Sequence, residues 1–281
     1  MNYIQIVFSL NRQEEWKIDL FKDSLLDIGA DSFVDTQYGF EAYCPEKDFK
    51  EELLKPLIND SLLDNKENIS YITNVILDQN WNEVWEKTSP SVRFGNECLI
   101  RKDTHEKDDN VTYDIIINPK QSFGTAIHPT TAMIVRSLLS MKTLKGCSVM
   151  DMGCGTAVLA ILAKKMGAEY VEAIDNDTWA YNNALENVNK NNVDICVKLG
   201  SSNEISENKL FDIFIANINL NILMDNMESF TSHIKTKGLL ILSGFYKTDV
   251  KELCDKTKPY GFTFISESTQ DDWSEIILRK D

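Results

Sequence analysis

Histidine is scarce in this chain: His105, His128 and His233 are its only three among 281 residues. So few, and so far apart, they do not make a histidine-rich metal centre. The six cysteines (Cys44, Cys98, Cys147, Cys154, Cys196 and Cys254) include no C-x-x-C pair. That spacing argues against a zinc site and a disulfide framework, and points to a reducing, cytoplasmic setting. No apolar run approaches the roughly 18 residues needed to span a membrane. The start, MNYIQIVFSLNRQEE, lacks the basic opening of a secretory signal. Positive charge is in deficit too, with 29 Lys and Arg against 44 Asp and Glu and a net charge of −15. A surface of that sign disfavours nucleic acid as a partner. It favours a basic one. Residues 1–60 hold 6 of the basic and 13 of the acidic residues, so the acidity is concentrated early. What remains, 43% hydrophobic and 26% charged, is ordinary for a globular protein of one large or two smaller domains.

The first segment alternates in a recognisable order. Residues 3–8 read as a strand, and 13–28 as a helix placing Trp16, Leu20, Leu25 and Ile28 at helical spacing before a Gly29 C-cap. Residues 32–36 and 40–44 are short strands meeting near Gly39. Residues 48–58 form a helix weakened by Pro56, and 69–77 a last strand. A β-α-β-β-α-β order predicts a small ferredoxin-like α+β domain over 1–78. Residues 79–120 read as a connector. It has a short helix carrying Trp81 and Trp85, then strands 98–101 and 113–117 around the polar turn 103–110.

From residue 148 onward strands and helices alternate. The strands fall at 148–152, 170–174, 194–199, 211–216 and 239–243, and the clearest helices at 156–166 and 177–191. Such alternation predicts a parallel sheet with helices on both faces. The tail breaks the pattern: strands 263–268 and 275–278 leave no room for a crossover helix and must pair antiparallel. The expected fold class is therefore α/β, a Rossmann-like sheet over 121–281 closed by an antiparallel C-terminal hairpin. That ending differs from a dehydrogenase and looks like the methyltransferase variant.

Three constellations carry chemistry. In Val149-Met150-Asp151-Met152-Gly153-Cys154-Gly155-Thr156-Ala157 a strand runs into a glycine turn that opens a helix. Glycine admits positive φ and close ligand approach. The N–H groups at the helix start are then expected to bind a ligand carboxylate. Asp175 ends the next strand about 20 residues on, where an acid can accept from ribose hydroxyls. A dinucleotide fingerprint would place its third small residue where Val158 stands, so NAD is only an alternative. In Phe211–Ile218 an apolar strand delivers Asn217 to the carboxyl edge of the sheet, to accept from an amine, donate to a cofactor, or cap the helix starting near Asn219. In Phe123–Thr131, glycine and threonines precede a helix running to about Met141 with Pro129 at its first position. His128, taken alone, reads as a cap or packing residue.

Together these motifs resemble the bacterial ribosomal protein L-11 methyltransferases. The resemblance rests on F-G-T-x-x-H-P-T-T at 123–131, the 151–157 loop, Asp175-Asn176-Asp177 and Ala216-Asn217-Ile218. It implies S-adenosylmethionine as cofactor, methylation of lysine side chains and the N-terminal amine of ribosomal protein L-11, and an N-terminal domain that docks this substrate. Residue by residue, it implies cofactor contacts at Thr131, Gly153, Asp175 and Asn217; Gly155 joins them from the loop itself. Asn217 is the expected orienter of the amine, with no residue assigned as general base. One departure stands out: the family usually has glycine where this chain has Ala126, which implies a stiffer flap. The alternatives are a methyltransferase of another protein or small amine, and a non-catalytic adenosylmethionine-binding module.

Overall fold

A computed structural model describes residues 2–10, 13–76, 90–120 and 122–281. The chain forms two compact units, Met1–Val84 and Trp85–Asp281. Among the described residues no helix is long and apolar enough to cross a membrane.

The first unit contains β1 (Tyr3–Ser9), α1 (Glu15–Leu25), β2 (Ser32–Thr36), β3 (Gly39–Pro45), α2 (Leu54–Asp60) and β4 (Ser70–Ile76). The strands pair antiparallel in the order β2-β3-β1-β4, the predicted ferredoxin-like arrangement. Alternate residues Ile4, Ile6 and Phe8 point into a core with Phe40, Ala42 and Cys44. Phe8 stacks on Phe40 at 4.9 Å and meets Phe21 edge-on at 5.3 Å. The helical face departs from expectation. Phe21, Leu25 and Ile28 form the buried stripe, while Trp16 and Leu20 are half exposed. Those two lie about one residue, some 100° of helix, off the stripe that Ile18 shares. A 3₁₀ turn over Leu26–Ile28 ends the helix at Gly29, φ 92°. Pro56 does not break α2, because it falls in the first turn, where its missing N–H has no partner to lose. Trp81 and Trp85 lie outside the described residues.

The second unit opens with β5 (Val92–Phe94), β6 (Cys98–Arg101) and β7 (Tyr113–Ile116). Strands β6 and β7 pair parallel, so the polar turn read at 103–110 lies within a crossover, residues 102–112. The buried Arg101 guanidinium organises that crossover. It donates to both carboxylate oxygens of Asp114 (2.7 and 2.8 Å) and to the carbonyls of Lys102 and His105. Phe94, Cys98, Ile100, Ile115 and Ile117 join the main core of this unit.

Then follow α3 (Pro129–Ser140), β8 (Ser148–Met152), α4 (Val158–Lys165), β9 (Tyr170–Asp175), α5 (Thr178–Lys190) and β10 (Cys196–Leu199). The chain continues through β11 (Phe211–Asn217), α6 (Leu220–Ser232), β12 (Ile234–Tyr246), α7 (Val250–Thr257), β13 (Phe262–Gln270) and β14 (Trp273–Lys280). The seven strands order as β10-β9-β8-β11-β12-β14-β13. Strands β8 to β12 run parallel, and β14 inserts antiparallel between β12 and β13. The fold is therefore the expected α/β sheet with an antiparallel ending. Central strands are buried on both faces: residues of α3, α4 and α5 share one core, and those of α6 and α7 the other. Helix α4 starts two residues later than predicted, since Ala157 takes a left-handed φ of 62°. Strand β12 is longer than the predicted 239–243 and runs thirteen residues.

Candidate active site

Two connected hollows lie at the carboxyl ends of β8, β9 and β11, where open α/β sheets place ligands. The larger, about 420 Å³, is lined by Phe123, Gly153, Gly155, Asp175, Trp179 and Asn217, among others. The smaller, about 80 Å³, shares Gly153, Asp175 and Ile218 and extends to Gly200, Ser201 and Phe230. The larger falls within the about 300–1,000 Å³ of small-molecule sites, and the smaller adds a side recess to it.

The glycine loop sits where the sequence placed it, but its amides are not free. Gly153 and Cys154 donate to the Ile174 carbonyl (2.8 and 3.0 Å), Gly155 to Asp175 Oδ2 (2.8 Å), and Thr156 to the Phe123 carbonyl (2.9 Å). Ala157 N–H closes a turn on the Cys154 carbonyl. The expected carboxylate-binding amides are thus engaged inside the protein, because the left-handed Ala157 tightens the turn before α4 begins. Gly155 is required sterically: at φ 54°, an added Cβ would collide with the Phe123 carbonyl. The Thr156 hydroxyl donates to the Gly124 carbonyl at 2.5 Å, so residues 123–124 are clamped onto the loop.

Asp175 ends β9 with its carboxylate held in place. Oδ2 takes the Gly155 N–H, and Oδ1 takes that of Asp177 at 3.0 Å. A carboxylate has about four acceptor positions, so two remain for a diol. Asp177 in turn caps α5, accepting from Ala180 N–H at 2.9 Å. Beneath the loop, Asp151 is fully buried and accepts from Ala160 N–H at 3.1 Å. Burial, with a smaller push from the Asp175 charge, lifts its pKa to about 7.

Asn217 supplies the least expected detail. It does not cap α6; Asn219 does, accepting from Ile222 N–H at 3.1 Å. Instead Asn217 Nδ2 donates to Thr131 Oγ1 at 3.1 Å, while its Oδ1 is buried without a partner. A buried amide oxygen left unpaired is unfavourable, and it awaits a donor. Thr131 is itself fully buried in the first turn of α3. His128 caps that helix, its Nδ1 lying 3.4 Å from Thr130 N–H and 2.8 Å from Thr130 Oγ1. Burial holds its pKa below the ordinary histidine value.

Sequence reasoning missed a row of rings beside this cap. Phe123 meets His128 at 5.1 Å, His128 meets Trp273 at 5.0 Å, and Trp273 stacks on Tyr246 at 4.5 Å. The tail hairpin brings Trp273 there, a pairing visible only once β14 is inserted beside β12. Also missed were Gly200 and Ser201 after β10. Their position at a carboxyl strand end was the available signal.

Comparison with known proteins places this geometry. The family model for "Ribosomal protein L11 methyltransferase (PrmA)" matches residues 10–281. The ribosomal protein L11 methyltransferase of Phocaeicola vulgatus is 37% identical over 98% of both chains. That of Porphyromonas gingivalis is 36% identical over 100% of this chain and 99% of its own. The chain belongs to the ribosomal protein L11 methyltransferase family. A crystal structure of the ribosomal protein L11 methylase from Lactobacillus delbrueckii subsp. bulgaricus shares its fold, with TM-score 0.58 and 23% identity over 68% of this chain and 99% of that one. The protein is accordingly an S-adenosylmethionine-dependent methyltransferase. The residues present fit that cofactor: a fixed carboxylate for the ribose, a glycine loop without side chains in the way, and an unpaired acceptor at the cleft end. Family membership also gives meaning to Ala126. It holds a φ of 61° while fully buried, a conformation natural for glycine and strained for alanine.

Proposed function

We propose that this chain methylates amines of ribosomal protein L11, both lysine side chains and the N-terminal amine, in the cytoplasm. The observation that carries the reading is the unpaired Asn217 Oδ1 at the end of the cleft. When bound, S-adenosylmethionine supplies a methyl group on a sulfonium centre, and the amine nitrogen bonds to that carbon as the S–C bond breaks.

The protein's task is placement. Asp175 accepts from the ribose hydroxyls; Gly153 and Gly155 let the loop close against Ile218 and the Phe123 carbonyl, which shapes the wall of the cleft. Thr131 fixes the Asn217 amide so that Oδ1 accepts an amine N–H and turns the nitrogen lone pair toward the methyl group. A lysine begins with a pKa of about 10.4 and must lose a proton first. The His128–Trp273–Tyr246 row, with Phe123, gives its stem an apolar path and removes water from the amine. That desolvation lowers its pKa, so proton loss to solvent needs no dedicated base. The acidic ferredoxin-like domain, residues 1–78, docks the lysine-bearing substrate by charge.

The test incubates total ribosomal proteins with methyl-labelled cofactor and measures the intact mass of L11. Label confined to L11, in steps of one methyl mass, supports the reading. Label on another protein or a small amine would redirect it, and no product with any amine would leave a binding module.

A further inference from the structure

Glu275 on β14 is 1% exposed, and its carboxylate makes no well-formed hydrogen bond; the Ser137 hydroxyl of α3 lies near it without reaching hydrogen-bond geometry. Nothing in the methyl-transfer geometry uses it. Buried carboxyls are ordinarily paired, because an uncompensated charge is strongly disfavoured away from water. The side chain faces α3, from which the Ser137 hydroxyl and the Arg136 guanidinium act on it. Arg136 is committed elsewhere, donating to Gln270 Oε1 at 2.8 Å and lying 5.6 Å from the Phe94 ring centroid. On the flanking strands its register neighbours are uncharged, Ser243 of β12 and Ser268 of β13. Glu267 of β13 is turned to the opposite face, where the Ser274 hydroxyl donates to it at 3.2 Å. Burial in this setting raises the Glu275 pKa to about 7.

The position matters because of what else α3 holds. Asn217, Ser243 and Glu275 are register neighbours across β11, β12 and β14, one polar row at the carboxyl end of the sheet. Helix α3 packs over β12, β13 and β14, and its first turn carries Thr131, the partner of Asn217. We propose that Glu275 is a positioning residue for the cofactor cleft. Neutral, it lets α3 seat fully on the sheet. Ionised, it draws Arg136 off Gln270 or admits water under the helix, shifting the first turn of α3 and with it the Phe123 wall of the cleft, and loosening the grip on cofactor. This rests on the reading that the cleft between Asp175 and Asn217 holds S-adenosylmethionine.

The experiment titrates S-adenosylhomocysteine into the full chain by calorimetry from about pH 6 to about pH 9. The parent should lose about fivefold in affinity over that range. Glu275→Gln, which keeps the shape without the charge, should bind at every pH as the parent does near pH 6, apart from any slope both proteins share. Arg136→Ala, which removes the cation that favours the charged form, should move the parent's loss to higher pH. Glu275→Leu serves in place of the glutamine variant if that one fails to fold. Parallel pH curves for the parent and the uncharged variant would overturn the proposal. No binding at any pH would instead overturn the cofactor cleft itself.

Discussion

Replacing Asn217 by alanine should separate holding the cofactor from aiming the amine. The side chain gives one N–H to Thr131 at 3.1 Å and keeps an unpaired, buried oxygen. In the resting protein that oxygen costs about 1–3 kcal/mol, and the bond to Thr131 returns about 1 kcal/mol. Alanine deletes both, leaves a small gap worth about 1 kcal/mol, and strips the buried Thr131 hydroxyl of this partner at about 1–3 kcal/mol. The orphaned hydroxyl offsets the relieved oxygen, so the lost bond and the gap remain. Stability should therefore fall by about 2 kcal/mol, a Tm loss of about 4–8 °C for a unit of this size. The working complex is different, because there the oxygen has an amine to accept from. Losing that alignment should lower kcat by about 100-fold. Affinity for S-adenosylhomocysteine, carried by Asp175 and the cleft walls, should move less than about threefold. Scanning calorimetry, steady-state turnover of L11 and calorimetric titration measure the three quantities. Turnover and cofactor affinity falling by the same factor would refute the assignment and make Asn217 a cofactor ligand only. An unchanged Tm, or a loss well beyond about 8 °C, would refute the stability argument.

Other outcomes follow from the same geometry. Asp175→Ala removes the ribose acceptor and the tie to Gly155, so S-adenosylhomocysteine affinity should fall at least about tenfold by calorimetry; unchanged affinity excludes the ribose role. Asp151 has a folded pKa of about 7 against about 3.9 for an unperturbed aspartate, so the stability it contributes is full below pH 4 and is lost as pH rises through 7. Asp151→Asn should thus flatten the fall in Tm between pH 5 and 8, relieving up to about 4 kcal/mol at the alkaline end. Ala126→Gly releases a left-handed alanine and should raise unfolding free energy by about 1 kcal/mol; a loss in denaturant titration would show the strain is not real. If the acidic domain docks L11 by charge, KM for L11 should rise with ionic strength while kcat holds, and a salt-indifferent KM removes that role.

Much of this was legible in the chain itself, where local signals and tertiary demands agree. The β8–glycine loop–α4 unit, the Asp175 terminus and the Pro129 start of α3 each combine period, turn residue and cap within a dozen residues. Elements that depend on distant partners were harder to read. The parallel pairing of β6 with β7 is invisible in a polar stretch that reads as a turn, since Arg101 and Asp114 meet only after the crossover folds. The ring row escaped for the same reason: Trp273, Tyr246, His128 and Phe123 come from three separate segments. Trp16 and Leu20 misled through a spacing that suits a helix but lies off the stripe facing Phe8 and Phe40.

The glycine loop shows how family resemblance and physics divide the explanation. A helix start with free amides would grip an anion directly, and the motif alone suggests such a site. Here every amide from Gly153 to Ala157 is already engaged, and two of the acceptors, Phe123 O and Asp175 Oδ2, belong to the walls of the cleft. The loop therefore works as a brace. It fixes the flap on one side and the ribose acid on the other, so both walls are set before any ligand arrives. What distinguishes a bound cofactor is then left to the remaining lone pairs of Asp175, while the single acceptor of Asn217 is kept for the amine. On that reasoning Gly155→Ala should damage the site more than its small size suggests. Its methyl group meets the Phe123 carbonyl, so the flap must lift. Cofactor affinity and turnover should then fall together, unlike the split expected at Asn217. Retained affinity would mean that the flap and the acid are held by something other than this loop.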